Sequence, residues 1–296
     1  MARIVIAGPL GLFPDQRSRL KKLATTRFFD SEAKTPEEWL ARCRNADIIC
    51  TGKFGLKDKI YELHDVFLSF PFVGVGWLDR KRMRARNITA SFAPGCNKDA
   101  VSEWIIAMML LLSRDFLRVI NAHRVEVRST LGLAGKTVCV IGPGHIGSRV
   151  ARICEALDMR VQSVGRGEPL TKAEDADFVV DTAGHTPQTE GMYDRKFFFS
   201  LKRGSFFITV TSQKLWDTDA MLAALDAGIL AGAANDCGSG FAGDTRDAVY
   251  RRLSAHPRVL ATPHVSYDTD VTNRVANDMM LDHVEAWLHG KPRNLL

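Results

Sequence analysis

The most specific chemical signal in this chain is Gly142-Pro143-Gly144-His145-Ile146-Gly147, which follows the β-branched run Thr137 to Ile141 and opens the helical stretch Ile146 to Ala156. In a strand–turn–helix unit, the first glycine of such a motif permits the tight turn and the second lets the backbone approach a pyrophosphate. The third lets helix and strand pack closely. Amides at the helix N-terminus then hold the phosphates, with His145 and Ile146 contributing backbone N–H groups. About 20 residues further on, NAD-selective sites carry an acidic side chain for the ribose hydroxyls. Here that place reads Val164-Gly165-Arg166. Gly165 brings no carboxylate and Arg166 brings a planar cation suited to a 2′-phosphate, so the expected cofactor is NADP(H) ahead of NAD(H). A second chemical group is His264, in Thr262-Pro263-His264. An imidazole titrates near neutral pH and can give or take a proton under working conditions.

These groups need a scaffold that delivers them together. Strand-like runs at Arg3 to Ala7 and Ala46 to Cys50 flank a helical pattern at Pro36 to Cys43. A long helical pattern covers Val101 to His123, and Leu133-Ala134-Gly135-Lys136 makes a turn before Thr137. Further strands are expected at Arg160 to Val164, Asp177 to Asp181, Ser205 to Val210, Ala231 to Asp236 and Val259 to Ala261, with a last helix over Asp268 to Trp287. Alternation of this kind implies an α/β fold with a doubly wound parallel sheet and right-handed crossovers.

The remaining composition narrows the classes. With 296 residues, 46% hydrophobic and 25% charged, the chain has material for a sizeable core and about two domains. Forty Lys and Arg against 34 Asp and Glu are interspersed, without a basic run dense enough for a nucleic-acid arm or a membrane patch. The longest apolar helical run, Trp104 to Leu112, is too short to span a bilayer. Cys43, Cys50, Cys96, Cys139, Cys154 and Cys237 are scattered, with no metal-ligand spacing. The expectation is a cytoplasmic protein with reduced thiols, a small-molecule substrate and no metal.

Several stretches together make the sequence resemble the D-isomer-specific 2-hydroxyacid dehydrogenases. Pro94-Gly95-Cys96-Asn97 with Val101-Ser102-Glu103 is similar to the family's hinge and first long helix, and Leu133-Ala134-Gly135-Lys136-Thr137 with the glycine motif to its cofactor strand. Thr186-Pro187-Gln188-Thr189 and Thr262-Pro263-His264 match two further segments. The resemblance implies a Rossmann-like NAD(P)-binding domain, 99–267, inserted in a smaller flavodoxin-like substrate domain, 1–98 and 268–296. It also implies a homodimer through the long helix, and hydride transfer between nicotinamide and a small carbonyl or hydroxy substrate with His264 passing the proton. Thr182, Thr186, Val210, Thr211 and Asp236 join the cofactor site on the same ground. Gly74-Val75-Gly76-Trp77 is similar to the family's glycine loop for a substrate carboxylate, and Thr51-Gly52-Lys53 to another substrate-facing loop. Adjacent amides form such an anion nest without side-chain charge, and Lys53 adds a cation. Core packing is the expected role of Trp77 and Trp216.

The catalytic constellation departs from the family pattern. Laying Gly204 to Leu225 on a strand that ends in Asn-x-x-Arg-Gly puts Thr209 at the asparagine, Ser212 at the clamp arginine and Gln213 at the glycine. Serine has neither arginine's charge nor its bidentate reach. Lys214 lies two positions on. The glutamate that supports the family's histidine falls by direct count on Phe241, with Asp244 as the stand-in if an insertion precedes it. Two functions stay open. One is an NADP(H)-dependent oxidoreductase with an altered substrate clamp. The other is a non-catalytic, cofactor-binding sensor or regulatory protein.

Overall fold

A computed structural model describes residues 2–53, 59–120, 123, 126, 129–236 and 242–296. In chain order its elements are β1 (Arg3–Ile6), α1 (Pro14–Leu23), β2 (Thr25–Phe28), α2 (Pro36–Cys43), β3 (Ile48–Cys50), β4 (Val66–Ser69), α3 (Arg80–Ala85) and β5 (Ile88–Ser91). They continue with α4 (Lys98–Ser113), α5 (Phe116–Ile120), β6 (Thr137–Ile141), α6 (His145–Ala156), β7 (Arg160–Val164), β8 (Phe178–Asp181), α7 (Arg195–Ser200) and β9 (Ser205–Thr209). The last are α8 (Thr218–Asp226), β10 (Leu230–Asp236), α9 (Ala248–Ser254), β11 (Val259–Thr262) and α10 (Asp270–Leu288). They form two compact units, Met1–Asn97 with Thr269–Leu296, and Lys98–Asp268.

The first unit is a five-stranded sheet in the order β2-β1-β3-β4-β5, and every pairing is parallel. Its order is that of flavodoxin-like sheets. Ile4 and Ile6 turn to one core, where Phe67 stacks on Trp287 of α10 at 4.3 Å between centroids; Val5 and Ile49 turn to the other. The returning C-terminal helix thus completes the unit that the N-terminus began. The hydroxyl of Ser69 also donates to the carbonyl of Met280 at 3.0 Å.

The second unit is a six-stranded parallel sheet in the order β11-β10-β9-β8-β6-β7. Strand order reverses between β6 and β8, the crevice where doubly wound sheets take their ligands. Every residue of β6, β8 and β9 is buried, as expected of parallel strands covered by helices on both faces. One face packs Val138, Val140, Phe178 and Ile208 against α4 and α6; the other packs Val179, Phe207 and Ala233 against α7 and α8.

Sequence and structure differ in one long element. The pattern over Val101 to His123 reads as a single helix, but α4 stops at Ser113 and α5 restarts at Phe116. Asp115 between them has φ +49°, a left-handed conformation that ends a helix and that aspartate tolerates better than most residues. No helix among the described residues is long and apolar enough to cross a membrane.

Candidate functional site

The three motif glycines each meet a different steric demand. Gly142 has φ +86°, and a Cβ there would fall 2.7 Å from the Cα of Ala183. At Gly147 a Cβ would sit 2.4 Å from the carbonyl oxygen of Gly142, so α6 could not pack this close to β6 with any larger residue. Gly144 has nothing within 4 Å of its Cβ position. The first and third glycines are therefore required by the fold, whereas the second borders open space beside the leading amides of α6. Those amides lack partners within the helix, so a phosphate group fits there by donor geometry as well as by room. His145 is exposed at the first position of α6, and Ile146 is half-buried.

The neighbouring strand ends support that loop. Thr182, just after β8, donates its hydroxyl to the carbonyl of Gly142 at 2.7 Å. Farther along the same connection, the amide of Thr186 donates to the Thr189 hydroxyl at 2.8 Å, closing a compact turn. Val210 and Thr211 follow β9, and the amide of Val210 donates to the carbonyl of Asp181 at 3.4 Å. Ser212 is exposed and caps the 3-10 turn Gln213–Leu215, its hydroxyl accepting from the amide of Lys214 at 3.3 Å. Trp216 is buried in the core between the sheet and α8, and Trp77 is half-buried against the core of the first unit.

Asp236, the last residue of β10, has an internal role that sequence patterns do not display. It is 4% exposed. Its Oδ1 accepts from the Thr262 hydroxyl at 2.5 Å and from the amide of Val265 at 2.9 Å, and its Oδ2 from the amide of Ser266 at 2.9 Å. The segment that carries His264 is thus wrapped around this carboxylate. His264 itself has φ +58°, its amide donating back to Thr262 at 3.0 Å. Its ring meets Tyr267 edge-on at 5.6 Å. Gly243 donates to the carbonyl of Pro263 at 2.7 Å and brings the 242–247 turn alongside. In that turn the Asp244 carboxylate accepts from the amide and Nε of Arg246, which hold its pKa below the ordinary aspartate value. Phe241 and Cys237 lie outside the described residues.

At the end of β7, the structure adds a carboxylate that the count along the sequence missed. Glu168 folds back so that its Oε2 accepts from the amide of Gly165 at 3.0 Å and from Lys172 Nζ at 2.9 Å. These two donors, the Gly165 amide first, hold its pKa below the usual glutamate value. Arg166 beside it is exposed. The signal was present as an i, i+3 return, which only a turn at Gly165-Arg166-Gly167 makes effective.

In the first unit, the structure brings two sequence candidates together. Gly74 follows β4 and Lys53 follows β3, and a Cβ at Gly74 would meet Lys53 Nζ at 3.2 Å. Lys53 Nζ also lies 5.3 Å from the ring centre of Phe72. Trp77 Nε1 donates to the carbonyl of Gly74 at 2.9 Å, closing the turn that contains Val75 and Gly76. Within each unit, then, the candidates gather at the carboxyl edge of the parallel sheet. Among the described residues no group of three or more His, Cys, Asp or Glu is arranged to hold a metal ion.

Two buried polar groups escaped the sequence reading altogether. Asp181 ends β8 and Asn235 precedes Asp236; both lie level with Thr209 of β9, on the face toward α7 and α8. Neither side-chain polar atom of Asn235 has a partner among the described residues.

The family model for the NAD-binding domain of D-isomer-specific 2-hydroxyacid dehydrogenases matches residues 106–266. A glycerate dehydrogenase of Methylorubrum extorquens is 25% identical over 281 residues, covering 88% of this chain and 89% of the relative. The 2-hydroxyacid dehydrogenase homolog 1 of Schizosaccharomyces pombe is 30% identical over 227 residues, covering 66% of this chain and 68% of the relative. Among solved structures, an acyclic imino acid reductase in complex with NADPH and D-Arg has a TM-score of 0.82 at 18% identity, covering 99% of each chain. A D-2-hydroxyisocaproate dehydrogenase has a TM-score of 0.80 at 20% identity, covering 100% of this chain and 99% of the other.

The wrapping of the 262–266 segment around Asp236 is open to direct measurement. Asp236→Asn removes the charge and one acceptor and is expected to lower unfolding stability by about 2–3 kcal/mol, read from urea denaturation. An unchanged urea midpoint would contradict the anchoring role.

Proposed function

The chain belongs to the D-isomer-specific 2-hydroxyacid dehydrogenase family, nicotinamide-dependent oxidoreductases acting on CH–OH groups, and on that premise we propose that it is an NADP(H)-dependent member with an altered substrate clamp. The observation that carries this reading is the gathering of the glycine loop, Thr182, Val210 to Ser212 and His264 at one sheet edge, with open space at Gly144. Gly142, Gly144 and Gly147 shape the phosphate site, and the amides of His145 and Ile146 hold the phosphates. Thr182 and Thr186 support the loop beside it, while Val210 and Thr211 line the nicotinamide end. Asp236 acts there through the 262–266 segment rather than by direct contact. Gly165 leaves room at the ribose and Arg166 takes the 2′-phosphate. Glu168 is engaged by Lys172 and by the Gly165 amide, and the NADP(H) preference rests on Arg166.

The cofactor supplies or accepts a hydride at the substrate carbon. His264 gives a proton to the carbonyl oxygen in the reducing direction and takes it back in the other. Ser212 offers a neutral hydrogen bond where a fixed positive charge is usual in the family, and Asp244 is kept ionised by Arg246. Lys53 and the amides of Gly74, Val75 and Gly76 receive a polar or anionic part of the substrate. Substrates that lean on a charged clamp are therefore disfavoured. A second reading, a sensor that binds cofactor without turnover, draws on the same neutral Ser212. The described cysteines are buried, and Cys43, Cys50, Cys139 and Cys154 are free thiols, which fits a reducing, cytoplasmic setting. Leu110 of α4 and Phe116, Val119 and Ile120 of α5 are exposed apolar residues, and a second copy of the chain covers them in the homodimer we propose.

Calorimetry is expected to give NADPH at least about a tenfold tighter Kd than NADH, and Arg166→Ala to erase the difference. Equal affinities in the unmodified protein remove the NADP(H) assignment. Turnover of small 2-oxo acids with NADPH is expected to be weak, to rise in Ser212→Arg and to fall by about 10²–10⁴-fold in His264→Ala. Strong turnover that survives His264→Ala places the chemistry elsewhere, and cofactor binding without turnover of any carbonyl compound selects the sensor. Light scattering at micromolar concentration is expected to give twice the chain mass, and a monomer there rejects the dimer.

A further inference from the structure

Asp181 stands level with Ile141, the residue that precedes the glycine loop, at the point where strand order reverses. It is wholly buried. Its Oδ1 accepts from the hydroxyl of Tyr193 at 2.8 Å and from the amide of Ala183 at 3.0 Å. Its Oδ2 accepts from the hydroxyls of Thr209, at 2.8 Å, and Thr211. Two donors on each oxygen fill the lone-pair sites of an ionised carboxylate. Burial raises this carboxyl above the ordinary aspartate value, and the four donors, Thr211 first, pull it back toward the ionised form. Burial and the adjacent charge raise the phenol of Tyr193 well above its ordinary value, so it remains a donor. Among the described residues, no lysine, arginine or histidine forms an ion pair with Asp181.

A carboxylate held only by neutral dipoles keeps its field, which a low-dielectric surrounding transmits better than water does. That field has a natural target if the glycine loop binds a nicotinamide dinucleotide, the reading on which this inference rests. With the ribose-recognising residues after β7 taking the adenosine end, the nicotinamide half falls to the β8–β10 side of the crevice. The oxidised ring is cationic and the reduced ring is neutral. We propose that Asp181 sets the redox preference of the bound cofactor by favouring its oxidised, cationic form over its reduced form. In the reducing direction a hydride leaves the ring with both electrons and forms the new C–H bond at the substrate carbon. The proton reaches the carbonyl oxygen from His264, and positive charge is left on the ring. Asp181 stabilises that last charge, and it does so without touching the substrate.

The test is a pair of calorimetric titrations, NADP⁺ and NADPH, on the full chain and on Asp181→Asn. Loss of the charge is expected to weaken NADP⁺ about tenfold while changing NADPH by less than about twofold. Equal weakening of both forms, with an unchanged ratio of Kd values, marks Asp181 as structural and overturns the proposal. Tyr193→Phe keeps the carboxyl but removes one of its donors, which favours the neutral acid. It is expected to move the ratio the same way by about threefold, and it serves if Asp181→Asn does not fold; an unchanged ratio there overturns the proposal equally. Failure of the unmodified protein to bind either form rejects the cofactor reading itself, an outcome distinct from binding with an unaltered ratio.

Discussion

A carboxylate buried at the end of a parallel strand must find donors for its oxygens, and in the second unit that requirement shapes the functional edge. Dehydrating an ionised carboxylate costs several kcal/mol unless hydrogen bonds replace the lost water. Asp236 meets the requirement with Thr262, Val265 and Ser266. Those partners lie on both sides of His264 in sequence, so the segment has little freedom except to curl around the carboxylate. The left-handed backbone at His264, φ +58°, follows from this closure. A non-glycine residue in that conformation costs on the order of 1 kcal/mol and persists where the surroundings over-determine it. The position of the imidazole is thus set first through its own backbone and only afterwards through whatever its ring touches.

The glycine loop obeys a different constraint, that of contact distance. At Gly142 and Gly147 a Cβ would meet backbone at 2.7 and 2.4 Å, so these residues are needed for β6, α6 and the 182–183 segment to close on one another. Thr182 then donates its hydroxyl to the carbonyl of Gly142, a second donor beside the amide of Gly144 that ties the turn to the end of β8. Gly144 alone is small with nothing near it. A fold that needed only packing would accept a larger residue there, and this asymmetry among three glycines is what gives the loop its meaning as a binding surface.

Much of this architecture was legible in the sequence because it is local. The strands Thr137–Ile141 and Arg160–Val164 and the helix Pro36–Cys43 have the bounds that their side-chain patterns predict, since β-branched runs and helical spacing need no distant information. The short strands β2, β4 and β5 gave no comparable signal. Thr25 to Phe28 mixes charge with aromatic and hydroxyl groups, and it becomes a strand only because β1 offers an edge. The break at Asp115 was hidden for the opposite reason. Apolar spacing continues through it into Phe116, and a left-handed aspartate leaves the periodicity almost intact. At the site, the glycine motif and His264 are recognisable from neighbours in sequence. The four donors to Asp181 come from the end of β9, the residues just past β8 and β9, and the segment before α7, and the return of Glu168 onto Gly165 depends on an intervening turn, so neither is visible along the chain.

The two buried carboxylates also explain why the edge tolerates a neutral Ser212. Both acids are held by neutral donors: three hydroxyls and one amide at Asp181, and a hydroxyl and two amides at Asp236. Neither therefore needs a cation from the loop after β9 to remain buried. In a site where an arginine had balanced such charges, its replacement by serine would leave a carboxylate without compensation and strongly destabilise the fold. Here the polar interior closes on itself, through Thr209 and Thr211 on one side of the sheet and Thr262 on the other. The exposed Ser212 therefore has no buried charge to balance, and the local duty left to its hydroxyl is to cap the turn Gln213–Leu215.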